Sequence, residues 1–95
     1  MRIEMCPTVI FGDIEAELGF HFEDFYFTQG VENGTYAFFA LDEDAIAEHE
    51  EDIADCEKFN DCDTAYYRCM KNELQLIKYF NSLGYNDAIL ICVIW

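Results

Sequence analysis

Four carboxylates, Asp44, Glu48, Glu51 and Asp55, recur at intervals of four, three and four residues. On a helix this spacing stacks them along one edge, neighbours about 5–6 Å apart and the whole ridge roughly 16 Å long. Such a ridge acts through charge and not through bond making. Proteins that hold nucleic acid meet its phosphates with Lys and Arg, and evenly spaced carboxylates on a rigid edge can occupy the same basic groove. Glu43 and Asp52 flank the ridge, and Asp13, Glu15, Glu17, Glu23 and Asp24 form a second acidic cluster that could extend it. Tyr26 or Tyr67 could add aromatic contacts at the rim.

The same acids also suit a plain solvated face, and the two readings stand side by side. The stretch Leu41 to Phe59 carries nine acids against a single base, Lys58. Like charges at i,i+4 destabilise a helix by about 0.2–0.5 kcal/mol per pair. A face made only for solubility normally interleaves lysines and gains from the pairs. This one does not.

His49, Cys56, Cys62 and Cys69 are zinc-compatible types, but six, five and six residues separate them. Closed zinc sites pair ligands two to four residues apart. His49 and Cys56 also share the inward stripe of their helix, where packing accounts for them. Asn60, Asp61 and Asp63 lack the glycine and the distal glutamate of an EF-hand loop. No metal or cofactor is expected.

Nucleophiles fare no better. Ser82 is the only serine and has no G-x-S-x-G context. A cysteine could pair with His21 or His49, yet Cys6 and Cys92 lie in apolar strands, and an acidic field raises a thiol's pKa. There is no P-loop and no dinucleotide fingerprint, and "HEEDI" at 49–53 lacks the second histidine of a zinc protease. The expectation is a protein that is not an enzyme.

These side chains need elements to position them. The pattern predicts one domain over 1–95, in the order β–β–β–α–α–β: about four mostly antiparallel strands with two helices on one face. "MRIEMCPTVIF" reads as a strand, with Pro7 at an edge or bulge. "GDIEAELG" is ambiguous between a helical turn and a bend. "FHFEDFYF" reads as a strand bulged at Glu23–Asp24. Asn33-Gly34 signals a hairpin turn into "TYAFFAL". "DAILICVIW" is apolar on both faces and is therefore expected at the centre of the sheet.

The first long helix, about 42–58, starts at Asp42 as cap. Its inward stripe is Ile46, His49, Ile53 and Cys56, with the carboxylate ridge opposite. The second, about 64–83, is capped by Asp63 or Thr64 and ends at Gly84. It turns Tyr66, Cys69, Met70, Ile77 and Phe80 inward and Arg68, Lys71, Gln75 and Lys78 outward. Glu73 falls inside that apolar stripe, which implies either a tyrosine hydroxyl from the sheet as its partner or a small shift in the phase of the helix.

The 95 residues are 53% hydrophobic and 17% aromatic, too apolar for a disordered acidic chain. The net charge is −15, and it is uneven: residues 1–57 hold sixteen acids and one base, residues 58–95 four of each. Such a field repels nucleic acid and anionic membrane and attracts basic protein. Direct nucleic-acid and membrane binding are therefore not expected. "MRIEMCPTVIFGD" lacks the apolar run of a signal peptide, and "AILICVIW" is too short to span a bilayer. A cytoplasmic protein with five reduced cysteines is the expectation.

In its acidic helix 42–57, acidic cluster 13–24, aromatic hairpin and small size, the chain resembles the acidic inhibitors that bacteriophages and other mobile elements encode. These include anti-CRISPR proteins, anti-restriction proteins and inhibitors of DNA-repair enzymes. The resemblance lies in charge pattern and implies occlusion: an acidic face set where nucleic acid should enter a host nuclease or CRISPR effector. The alternatives are an acidic assembly subunit docking on a basic protein, or a small zinc-binding domain. The aromatic hairpin or "AILICVIW" could also be buried in a homodimer.

Overall fold

A computed structural model of the chain describes residues 7–26, 31–32 and 34–93. The elements are β1 (Thr8–Ile10), α1 (Phe11–Leu18), a 3-10 turn (Phe22–Asp24), β2 (Thr35–Ala40), α2 (Glu43–Lys58), α3 (Ala65–Ser82) and β3 (Ala88–Val93). The class is α+β, as expected. The sheet runs β1-β3-β2, with β3 parallel to β1 and antiparallel to β2. The described residues thus hold three strands in a mixed sheet and three helices, where about four mainly antiparallel strands and two helices were expected.

Two local differences account for this. "FGDIEAEL" forms α1, because Phe11 and Ile14, three apart, both enter the core. Gly19, at φ 75°, ends it with its N–H on the Glu15 carbonyl. "FHFEDFYF" is not a strand over its described part. The His21 N–H donates to Asp24 Oδ2 at 2.7 Å and the Asp24 N–H to the His21 carbonyl at 2.9 Å. The carbonyls of Glu23 and Asp24 accept from the Cys69 thiol and from Asn72 Nδ2. A local turn and α3 therefore consume the backbone groups that a ladder would need. The slip at Glu23–Asp24 is that turn, and Phe25 swings from it into the core against Phe11 and Phe20.

Of the expected turn, Gly34 stands at φ 86°, and the Thr35 N–H donates to the Glu32 carbonyl at 3.0 Å. The strand that follows, β2, pairs with β3. Cys6, Phe27 and Asn33 itself lie outside the described residues, as does "MRIEMC" of the first expected strand. Pro7 leads into β1, which is an edge strand as expected. The central place of β3 was also foreseen.

One face of the sheet carries Ala37, Phe39, Ile89, Ile91 and Val93. Phe11 and Ile14 of α1 and Leu76, Ile77 and Phe80 of α3 join them in a single buried cluster, and Ile46 of α2 packs on its margin. Both long helices are closed chemically at each end. Asp42 Oδ1 accepts from the Ala45 N–H at 3.0 Å, and Thr64 Oγ1 accepts from the Tyr67 N–H at 3.1 Å. At the C-termini two Schellman motifs recur. In α2, Asn60 stands at φ 60° and the Asp61 N–H reaches the Cys56 carbonyl. In α3, Gly84 stands at φ 100° and the Tyr85 N–H reaches the Phe80 carbonyl, while the two rings meet.

Candidate functional site

The α2 helix lies against α3 through Ala45, Ile46, His49, Asp52, Ile53 and Cys56, which leaves the opposite side to solvent. Asp44, Glu48, Glu51 and Asp55 are all exposed there, along with Glu43. The four-three-four ridge is therefore real in space. Among the described residues, no lysine or arginine forms an ion pair with it.

Asp52 is set apart from the ridge. It turns toward α3 and accepts a hydrogen bond from the Tyr66 hydroxyl at 3.0 Å. Tyr66 in turn meets Tyr26 edge-on, ring centres 5.4 Å apart. Burial together with Asp52 pushes the Tyr66 phenol up to about 12. The order of the two neighbouring tyrosines is the reverse of that expected. Tyr67 is the buried one, its hydroxyl on Glu57 at 2.9 Å, and that carboxylate raises it to about 12 as well. Tyr66 is exposed and takes the rim position beside Tyr26. Cys69, Met70, Glu73, Ile77 and Phe80 are buried in the expected phase, so the exchange is confined to the first turn of α3, where Glu57 holds Tyr67 and Asp52 holds Tyr66. The outward residues Arg68, Lys71, Gln75 and Lys78 are exposed as expected.

Asp13, Glu15 and Glu17 stand on α1, which packs on β1 and β3. Asp13 and Glu17 share a small groove with Val9, Tyr79 and Phe80. The main contacts of α1 are with β1 and β3 and those of α2 with α3, and the Glu17 carboxylate raises the nearby Tyr79 phenol. Asp24 serves its own turn through His21. Asp13, Glu15 and Glu17 thus stand on a different element from the ridge, while Glu23 is exposed on the turn that packs on α3.

The ridge is lengthened elsewhere, by residues that the periodicity of α2 does not reveal. Asn86 and Asp87, just before β3, form an open depression with Asp42, Glu43 and Asp44. The Leu41 N–H donates to the Asp87 carbonyl at 2.8 Å and fixes this approach. The signal was present in the strands: if "TYAFFA" and "AILICV" pair antiparallel, the residues after Ala40 and before Ala88 must be neighbours.

His49, Cys56, Cys62 and Cys69 do not gather. His49 Nδ1 lies 2.8 Å from the Ala45 carbonyl and Nε2 lies 3.0 Å from Glu73 Oε1. The thiol of Cys69 points to the Glu23 carbonyl, Cys56 is buried and Cys62 is exposed. Burial, helped by nearby carboxylates, raises both the Cys56 and Cys69 thiols, away from a reactive thiolate. Among the described residues, no three His, Cys, Asp or Glu side chains are placed to hold a metal ion. Nor is any described helix long and apolar enough to cross a membrane. Glu73, 3% exposed, is in the apolar stripe as its phase required, but it meets His49 and not the expected tyrosine.

What the arrangement can do is present charge. Its rigid part is a capped helix whose exposed edge is wholly anionic, bordered by the Tyr26–Tyr66 pair on the α3 side. Against protein-family models, curated proteins and solved structures, the chain has no match.

Proposed function

We propose that this chain is a non-catalytic inhibitor acting in the cytoplasm. It lays the α2 ridge into a basic nucleic-acid-binding groove of a protein partner, such as a nuclease or CRISPR effector. The observation that carries this reading is the exposure of Asp44, Glu48, Glu51 and Asp55 along one edge, without a cationic partner among the described residues. Carboxylates about 5–6 Å apart on a rigid helix meet the same lysines and arginines as phosphates do, with the same sensitivity to salt. Tyr26 and Tyr66 supply aromatic contact beside the charge.

A second reading is favoured by the depression at Asp42, Glu43, Asp44, Asn86 and Asp87. A concave acidic site suits one lysine or arginine side chain, so the chain would dock on a basic protein that does not bind nucleic acid.

One experiment separates them. The tagged protein is used to retain partners from bacterial lysate, and these are eluted with salt and, separately, with competing DNA. Release by DNA is expected for the groove reading, and release by salt alone for the second. The variant carrying Glu48→Lys, Glu51→Lys and Asp55→Lys should retain its fold by circular dichroism and lose the partner. Undiminished binding by that variant would sink both the ridge and the inhibitor built on it.

A further inference from the structure

The three helices pack on one face of the sheet. The other face carries Thr8 and Ile10 from β1, Tyr36, Phe38 and Ala40 from β2, and Leu90 and Cys92 from β3, with Ala40, Leu90 and Cys92 half-buried; Ala88, in the same register, is buried. Sheets with a solvated face alternate apolar-in with polar-out. Here the outward set contains no charged residue, in a chain of net charge −15. The register places Ile10, Cys92 and Tyr36 in one row, and Thr8, Leu90 and Phe38 in the next. Ile10 is 45% exposed, Tyr36 59% and Phe38 41%. A contiguous apolar face of this kind marks an interaction surface.

We infer that this face is the contact between two copies of the chain, packed sheet against sheet about a two-fold axis. Two-fold symmetry sets one patch against itself, so a charged patch repels its own image and an uncharged one does not. Of the surfaces described, the α1 acids and the α2 ridge fail that condition and the outer sheet face meets it. The face is small. Three strands span about 15 Å and six residues about 20 Å, so two copies cover on the order of 600 Å² in all, below the standard interface, in the range of a weak contact. The dimer is accordingly a reversible one. Because the helices cover the opposite faces, both α2 ridges end on the outside of the pair and stay open to a basic partner.

Charge gives the contact a signature. Two chains of like charge associate more tightly as salt screens them, whereas the contact between the ridge and a basic partner weakens with salt. The two interactions thus respond oppositely to one variable, and either can fail without the other.

The test is sedimentation velocity of the intact chain over about a hundredfold range of concentration, reaching the high micromolar, where an interface of this size is populated. A monomer–dimer equilibrium that strengthens with added salt is expected. Ile10→Lys and Phe38→Lys, on opposite edge strands, should each shift the midpoint at least tenfold toward monomer, with circular dichroism unchanged. Pairing through the edge of β2 alone would leave Ile10→Lys without effect and overturns the face-to-face contact. A chain that stays monomeric throughout overturns the dimer, and Cys92 then distinguishes the occupant. A thiol shielded from a bulky maleimide in that monomer means that the chain covers its own face. A reactive thiol leaves the face free for a different protein. In a dimer, Cys92 should lose reactivity as concentration rises.

Discussion

His49 Nε2 stands 3.0 Å from Glu73 Oε1, a contact between α2 and α3 made 24 residues apart in the chain. The Ala45 carbonyl can only accept, so Nδ1 carries a hydrogen. Protonation of the ring lets Nε2 meet the Glu73 carboxylate as a second N–H donor. The hydrogen bond to Glu73 is the main cause that raises the His49 pKa above its ordinary 6.5, against the opposing effect of burial. Asp52 on the same helix adds to the rise, and the ring of Phe39 closes the site from β2. One protonated contact thereby seats the helix that carries the ridge.

Its pH dependence follows by linkage. The folded pKa lies above the unfolded one, so the pair's contribution is complete below about pH 6.5 and is lost as pH rises through the higher folded value. The thermal midpoint of the wild type should therefore fall from pH 6 toward pH 8, and the fall should be absent from His49→Gln. Glu73→Ala, which leaves His49 facing an emptied site, should cost about 2 kcal/mol or more in urea unfolding. A flat profile in the wild type would show that the pair is not protonated when folded.

Glu51 stands three residues after Glu48 and four before Asp55, so Glu51→Lys turns two repulsions into attractions at once. A gain of about 0.5–1 kcal/mol in stability is expected, fading with salt. Partner binding should fall in the same variant. A residue that stabilises the fold when changed but weakens binding is the pattern of a functional surface.

Tyr66 and Tyr67 should be visible by ultraviolet absorbance. Both phenols are held up to about 12, one by burial and Asp52, the other by Glu57. In an alkaline titration, Tyr66→Phe and Tyr67→Phe should each remove one late-ionising phenol. Loss of an ordinary one, ionising near 10, would break the assigned hydrogen bond.

The two Schellman turns differ by one residue, Asn60 against Gly84, and should respond in opposite senses. Gly84→Ala puts a Cβ at φ 100° and should cost roughly 1–2 kcal/mol. Asn60→Gly relieves the same left-handed strain at φ 60° and should be neutral or stabilising. Chemical denaturation of the two variants measures both.

The long helices were legible because each carries its own evidence. Asp42 and Thr64 are caps, Gly84 is a stop, and the inward stripe of α2 recurs at helical spacing over about three turns. The ridge was legible for the same reason, as it follows from α2 alone. Central β3 could be read from apolar residues on both faces. "FHFEDFYF" could not, since its alternation is that of a strand while its backbone is held by Cys69 and Asn72, nearly fifty residues away. The parallel pairing of β1 was equally hidden, because an edge strand of three residues carries no sign of its partner. Asp87 joined the acidic surface only through strand register, and Tyr66 changed places with Tyr67 because their partners, Asp52 and Glu57, lie on the other helix, which the periodicity of α3 does not show.

The placing of β3 between β1 and β2 has a consequence for synthesis. Val9 pairs with Ile91, more than eighty residues later in the chain, and β2 finds its described neighbour in the same late strand. A nascent chain halted before Ala88 can form the α2–α3 hairpin and display its carboxylates, but β1 and β2 are left without the strand that joins them. Closing so long a loop makes folding slow for a chain of this size. Until β3 arrives, the strands "TVI" and "TYAFFA" are bare edges, and the strong like charge of residues 1–57 opposes their pairing with another copy.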